Sequence, residues 1–101
     1  MKEERMTVMT AEPRPADVLE RLEEPTLYDV FYEAGTMLGG TLVALADKAE
    51  ADGRVDDERS WMAEHSRLLR ERATVGADDR EGQIAAKLRW DARRERLCRL
   101  V

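Results

Sequence analysis

Few side chains in this 101-residue chain are of the types that attack, transfer protons or ligate metals. His65 is its single histidine and Cys98 its single cysteine. A catalytic histidine needs a nucleophile and an orienting acid beside it, whereas Ser66 and Glu64 point to other sides of a helix. One cysteine makes neither an internal disulfide nor a multi-cysteine zinc site. We therefore predict that the protein is not an enzyme, with no catalytic residue, metal ligand or cofactor, and that His65 is a packing residue.

An acidic loop, DKAEADGRVDDE at residues 47–58, has the composition of a calcium site but not its spacing. An EF-hand loop has glycine at its sixth position and acidic ligands at its first and twelfth. With Gly53 at the sixth position, Lys48 would stand at the first and Arg59 at the twelfth. The loop is therefore not predicted to bind calcium.

Part of that loop, ADGRVDDE, resembles the interhelical turn of TerB-like tellurite-resistance modules. The resemblance implies metal binding, and the matching positions here are Asp52 and Glu58. Helix caps favour the same residue types, so we expect a capped helix–turn–helix and assign the chain to no family. A metal-dependent helical module at residues 47–58 is the weakest of the alternatives considered.

The segment KLRWDARRERLCR, residues 87–99, contains six basic and two acidic residues and one tryptophan. On a helix Trp90 lies about 160° from Leu88, so we expect it outside the core. Tryptophan and arginine are enriched at interface hot spots. We predict a partner-binding surface on this helix, formed by Arg89, Trp90, Arg93, Arg94 and Leu97. An alternative is that the basic residues only complement the helix dipole or pair with acidic residues elsewhere.

These segments must be positioned by helices, since no alternating strand pattern appears. The longest apolar stretch runs from Thr26 to Gly53. Its apolar residues recur at three- and four-residue steps, which predicts one buried helix. One side of this helix carries a stripe of small residues, Gly35, Gly39 and Val43, which predicts that the backbone of another helix approaches at Gly39. The fold class is all-α: a small bundle of three main helices, a short N-terminal helix and a flexible tail. We place the tail at residues 1–14 and the single domain at residues 15–101.

Two further helices follow, each with a predicted inner face. The third helix begins at an N-cap, Asp56, and the last runs from about residue 79 to residue 99. The inner face of the third comprises Trp61, Met62, His65, Leu68, Leu69, Arg72 and Val75. The inner face of the last comprises Ile84, Ala85, Leu88 and Ala92.

Charge and composition narrow the class of partner. Residues 1–51 carry 5 basic and 11 acidic residues and residues 52–101 carry 12 and 11, which gives the net charge of −5. This balance disfavours non-specific binding to DNA or to an anionic membrane. The N-terminus lacks the apolar core of a signal peptide, so we expect a cytoplasmic protein. Arginine outnumbers lysine 14 to 3, a bias typical of GC-rich bacteria and their phages.

From these observations we predict a small non-enzymatic protein–protein interaction module. It would be an adapter, regulator or inhibitor, as in a phage, plasmid or toxin–antitoxin locus, that presents helix faces to a partner or to itself as a homo-oligomer. The reason for this prediction is that the helices have more apolar surface than one core would bury. The main alternative is a nucleic-acid-associated regulator that uses the arginine-rich C-terminal helix.

Overall fold

The computed structural model describes residues 14–101, which form an all-α fold. In this part of the chain there are four helices and no strand: α1 (Pro15–Glu20), α2 (Glu24–Ala51), α3 (Val55–Thr74) and α4 (Arg80–Leu97). The predicted small bundle of three main helices after a short one is confirmed. The predicted tail, residues 1–14, lies outside the described residues except for Arg14, the residue before α1.

Proline, glycine and aspartate define the ends of these helices. Pro15 and Pro25 occupy the first turns of α1 and α2, where a missing backbone N–H costs no hydrogen bond. The α2–α3 turn contains Gly53 with φ of +74°, a conformation that glycine adopts without strain. Asp79 caps α4 by accepting a hydrogen bond of 2.9 Å from the Gly82 N–H. Helix α3 begins at Val55, so Asp56 lies in its first turn and is not its cap.

Helix α2 is the central element of the fold. Helices α3 and α4 both pack along it, while the backbones of α3 and α4 scarcely approach each other. The main core is formed where all three meet, by Phe31, Ala34, Leu38, Leu42, Leu45, Leu68, Ala86, Trp90 and Leu97. Because α3 and α4 touch mainly through long side chains, a groove remains between them.

A second, smaller core lies under α1, which packs on α4. Leu19 of α1, Leu27 of α2 and Ile84 of α4 are its buried members, and Leu88 is partly buried against them. Arg80 stabilises the C-terminal end of α1 by donating hydrogen bonds to the carbonyl oxygens of Glu20 and Leu22, at 2.9 and 2.8 Å. Helix α4 therefore buries apolar residues on two sides, one against α2 and one against α1.

Two of the three glycines of α2, Gly35 and Gly39, are approached by side chains. A Cβ atom at Gly35 would lie 3.0 Å from Cδ of Arg72 and 3.2 Å from Cζ3 of Trp90. At Gly39 the nearest atoms belong to the imidazole of His65, at 3.4 Å. The predicted approach of a helix backbone at Gly39 is therefore wrong. The tighter position is Gly35, where side chains from both α3 and α4 converge.

Candidate interaction surface

The structure places the predicted anchor of the α4 surface, Trp90, in the core. Its side chain is 4% exposed, and its ring stacks on Phe31 with 5.3 Å between centroids. The indole Nε1–H donates a hydrogen bond of 3.0 Å to Oε1 of Glu71 on α3. Leu97 is 3% exposed. The prediction that Trp90 lies outside the core is wrong, and neither Trp90 nor Leu97 presents a surface in the described fold.

The physical reason is the rotation of α4 about its axis. Ala86, Trp90 and Leu97 are four and seven residues apart, which places them on one side of a helix, and this side faces α2. Of the predicted inner face, Ala85 and Ala92 are exposed. A tryptophan buries far more apolar area than two alanines, so its side of the helix turns inward. Ile84 and Leu88 do pack, but in the smaller core under α1.

The arginines around Trp90 bridge α4 to α3. Arg93 makes a two-pronged ion pair with Glu64, in which its Nε and Nη2 each donate across 2.8 Å. Arg89 forms an ion pair with Glu71, the residue that also accepts from Trp90. These pairs span the groove of about 570 Å³ between the two helices. Two of the predicted partner-binding arginines are therefore engaged within the fold, where they join helices whose backbones stay apart.

Arg94, the remaining predicted residue, is half-buried. Its Nε atom is buried without a hydrogen-bond partner among the described residues. Lys87, at the start of the basic segment, pairs with Asp91 one turn later. Three basic residues of the segment, Lys87, Arg89 and Arg93, are thus paired with acids of α3 or of α4 itself, which is the arrangement expected of a structural role.

The Glu64–Arg93 pair gives a pH dependence with a definite sign. Hydrogen bonds from Arg93 lower the pKa of Glu64, against an opposing effect of burial. A carboxyl with a lowered folded-state pKa stabilises the fold above its ordinary pKa of about 4.3. That contribution is lost as the pH falls through the lower folded-state value.

We therefore expect Glu64→Gln to lower the free energy of unfolding by about 1 kcal/mol at pH 7. The difference from wild type should shrink as the pH falls below about 4, where the glutamate itself becomes neutral. Denaturant unfolding of both proteins between pH 7 and pH 3 measures it, with Glu95→Gln at an exposed position of α4 as control. A difference that stays constant down to pH 3 would show that the charge of Glu64 is not what stabilises the pair.

The acidic loop at residues 47–58 forms a cross-linked turn. Arg54 donates to Asp57 at 2.7 Å and to Asp52 at 3.3 Å. Asp52, a matching position of the tellurite-resistance turn, is thus directed towards an arginine. Across residues 14–101, no three His, Cys, Asp or Glu side chains form a group that could hold a metal ion.

His65 and Cys98 occupy separate environments. The imidazole of His65 lies against Gly39 of α2, and within the described residues no hydrogen bond joins it to another side chain. Cys98 is an exposed free thiol at the end of α4. His65 is half-buried and packs, as predicted, at the rim of the surface described next.

An apolar surface on the α2–α3 side of the molecule is not buried in either core. We call it the α2–α3 strip; its large members are Tyr32, Val43, Met62 and Leu69, which are 46%, 37%, 39% and 42% exposed. Between them Thr36, Gly39 and Gly40 form the floor of a shallow depression of about 350 Å³, with His65 and Leu69 on its α3 wall. Gly40 has nothing within 4 Å of where a Cβ would lie, so this floor is open.

Arg72 closes one end of the α2–α3 strip. Its guanidinium lies 3.8 Å from the centroid of the Tyr32 ring. The same group donates to the Tyr32 carbonyl oxygen at 3.1 Å and to the Thr36 hydroxyl at 3.0 Å. These contacts hold the aromatic ring in a fixed orientation. The strip is therefore a preformed surface with large side chains at its borders and small ones at its centre.

Sequence reasoning missed the α3 part of this surface because it assigned Met62 and Leu69 to the inside. Met62 and Leu69 were predicted on the inner face of the third helix, but Leu68 is its only buried residue. Val55, Met62 and Leu69 recur every seven residues and are all exposed. A seven-residue apolar repeat that is offset from the core residues is typical of a helix that packs on another helix, and this signal was available in the sequence.

Comparisons with protein-family models, with curated proteins and with solved structures found no match for this chain. Within residues 14–101, no helix combines the length and the apolar character that crossing a membrane requires.

Proposed function

We propose that this protein is a small non-enzymatic interaction module that binds another polypeptide helix through the α2–α3 strip. The observation that supports this is the set of four large, partly exposed apolar side chains on α2 and α3, of which Val43 and Leu69 line a depression with a floor of small residues. Apolar surfaces of this kind on small soluble domains mark interaction sites. A helix with an apolar face fits such a groove by inserting large side chains between the borders.

The same observation moves the proposed site from α4 to the α2–α3 side. Trp90 and Leu97 are buried, and Arg89 and Arg93 already have carboxylate partners. A partner that used these arginines would have to break ion pairs that join α3 to α4. Binding at the α2–α3 strip would break no ion pair between α3 and α4, since its members are exposed and its tyrosine is already positioned by Arg72.

The test is a paired substitution, Met62→Glu with Leu69→Glu. Both side chains are exposed, so we expect the helical circular dichroism signal to persist and the free energy of unfolding to change by about 0.5 kcal/mol per site. Association should be abolished, because two charges placed in an apolar contact would be desolvated without partners. Association is measured by the mass of the purified chain and by capture of polypeptides from the source cell.

A matched control is Met37→Glu. Met37 is 43% exposed and lies on α2, but on the side away from the α2–α3 strip. It adds the same charge to the same residue type, so it should leave association intact. Unchanged association in the Met62→Glu, Leu69→Glu protein, or an equal loss in the control, would remove the strip as the binding surface.

A further inference from the structure

The borders of the α2–α3 strip carry opposite charges. Around α2, Gly39, Val43 and Asp47 follow at four-residue steps, each of which turns about 40° further away from α3. Asp47 thus lies beyond the apolar strip, and Asp29 and Glu33 lie on the same exposed border. The α2 border is therefore acidic.

The same progression on α3 ends in basic residues. Met62, Ser66 and Arg70 follow at four-residue steps that turn away from α2. Arg70 is exposed, and so is Arg59, which lies four residues after Val55 on the same side and makes only a solvent-exposed ion pair of 3.6 Å with Asp56. The α3 border is therefore basic, and one apolar strip is flanked by an acidic edge and a basic edge.

We propose that the polypeptide which covers the α2–α3 strip is a second copy of this chain, with α2 of each copy packed antiparallel on α3 of the other. This inference rests on the function proposed above and names its partner. A two-fold axis that runs along the helices brings the acidic edge of each copy against the basic edge of the other. A two-fold axis across the helices would instead bring acid against acid, so the charges select the first arrangement.

The heights of the residues along the helices agree with this arrangement. Val43 lies eight residues before Ala51, the end of α2, and Met62 lies seven residues after Val55, the start of α3. At about 1.5 Å per residue the two are level within one residue. An axis along the helices preserves height, so Met62 of one copy reaches Val43 of the other.

The other pairs follow by the same count. Thr36 lies fifteen residues before the end of α2, and Leu69 lies fourteen residues after the start of α3. Leu69 of one copy is therefore level with the floor of small residues in the other. Asp47 and Arg59 each lie four residues from the turn, so they are level and oppositely charged. At matching heights, Leu69 therefore meets small residues, Met62 meets Val43, and Asp47 meets Arg59.

The orientation is tested by cysteine cross-linking in full-length chains that carry Cys98→Ser. One chain carries Val43→Cys and the other Met62→Cys, and the two are mixed in equal amounts under mild oxidation. We expect the mixture to form an intermolecular disulfide at least about tenfold faster than either chain alone, because the Cα atoms must come within about 7 Å. A mixture of Met37→Cys with Met62→Cys is the matched control and should stay uncross-linked.

Charge reversal gives an independent readout. A chain with Glu33→Lys and Asp47→Lys has two basic edges, and a chain with Arg59→Glu and Arg70→Glu has two acidic edges. We expect each alone to self-associate at least about tenfold more weakly than wild type and the mixture to recover the wild-type mass. Wild-type-like association of either reversed chain alone would overturn the proposed arrangement.

The outcomes separate this inference from the proposed function. A wild-type chain that stays monomeric, while Met62→Glu with Leu69→Glu loses a different captured polypeptide, overturns the second copy and leaves the interaction module standing. Val43→Cys chains that cross-link to one another as fast as the mixture overturn the orientation. Strip variants that alter neither self-association nor capture overturn both.

Discussion

Replacing Trp90 with alanine is expected to lower the free energy of unfolding by about 3–5 kcal/mol, the range for truncating a large buried aromatic residue. Trp90 is 4% exposed, stacks on Phe31 and donates to Glu71. The substitution leaves a cavity where α2, α3 and α4 meet, and a small domain has few other contacts to compensate. Urea unfolding followed by circular dichroism measures the loss.

A second variant, Trp90→Phe, separates packing from hydrogen bonding. Phenylalanine retains the ring against Phe31 but cannot donate to Glu71, so we expect a smaller loss of about 1–2 kcal/mol. If Trp90→Ala keeps the wild-type stability, the tryptophan is not a core residue, and the packing of α4 on α2 described here is wrong.

Replacing Gly35 with leucine is expected to cost about 1–3 kcal/mol or more by overpacking. Even the Cβ atom of such a side chain would lie 3.0 Å from Cδ of Arg72 and 3.2 Å from the Trp90 ring. Arg72 can move aside only by leaving Tyr32 and Thr36. The rigid indole has less freedom, so the leucine would separate α4 from α2. Thermal unfolding of the variant provides the measurement.

The control for that prediction is Gly40→Ala. Within one copy Gly40 faces open space, and alanine is the better helix former by about 1 kcal/mol, so at dilutions where the chain is monomeric this variant should be more stable than wild type. The comparison distinguishes a crowded glycine from an uncrowded one in the same helix. Equal effects at both positions would contradict the assigned rotation of α2.

The fold class and most helix ends could be predicted from local signals. Pro15 marks a helix start, Gly53 marks a turn, and the long apolar period of α2 predicts a buried helix. These signals act within a few residues, so they remain valid whatever the tertiary arrangement. The start of α3 was misplaced by two residues, because Asp56 suits a first turn as well as a cap and the helix begins at Val55.

The rotation of each helix could not be predicted in the same way. Helix α4 has two apolar sides, and the structure packs Ile84 and Leu88 in the smaller core under α1 and Trp90 in the larger one. Trp90 and Leu97, expected as surplus apolar surface on α4, are therefore covered in the main core, and α1 covers Ile84 and Leu88. On α3 the error was the reverse, because Met62 and Leu69 were counted as core and are exposed.

The central claim is that a second copy of the chain covers the α2–α3 strip, and sedimentation of the purified protein tests it most directly. One chain has a mass of 11.6 kDa. With rising concentration, wild type and Arg96→Glu, a change on the exposed part of α4, should approach twice that mass. Leu69→Glu should remain at the mass of one chain. A wild-type protein that stays monomeric at every concentration, or a Leu69→Glu protein that associates as wild type does, would contradict the account.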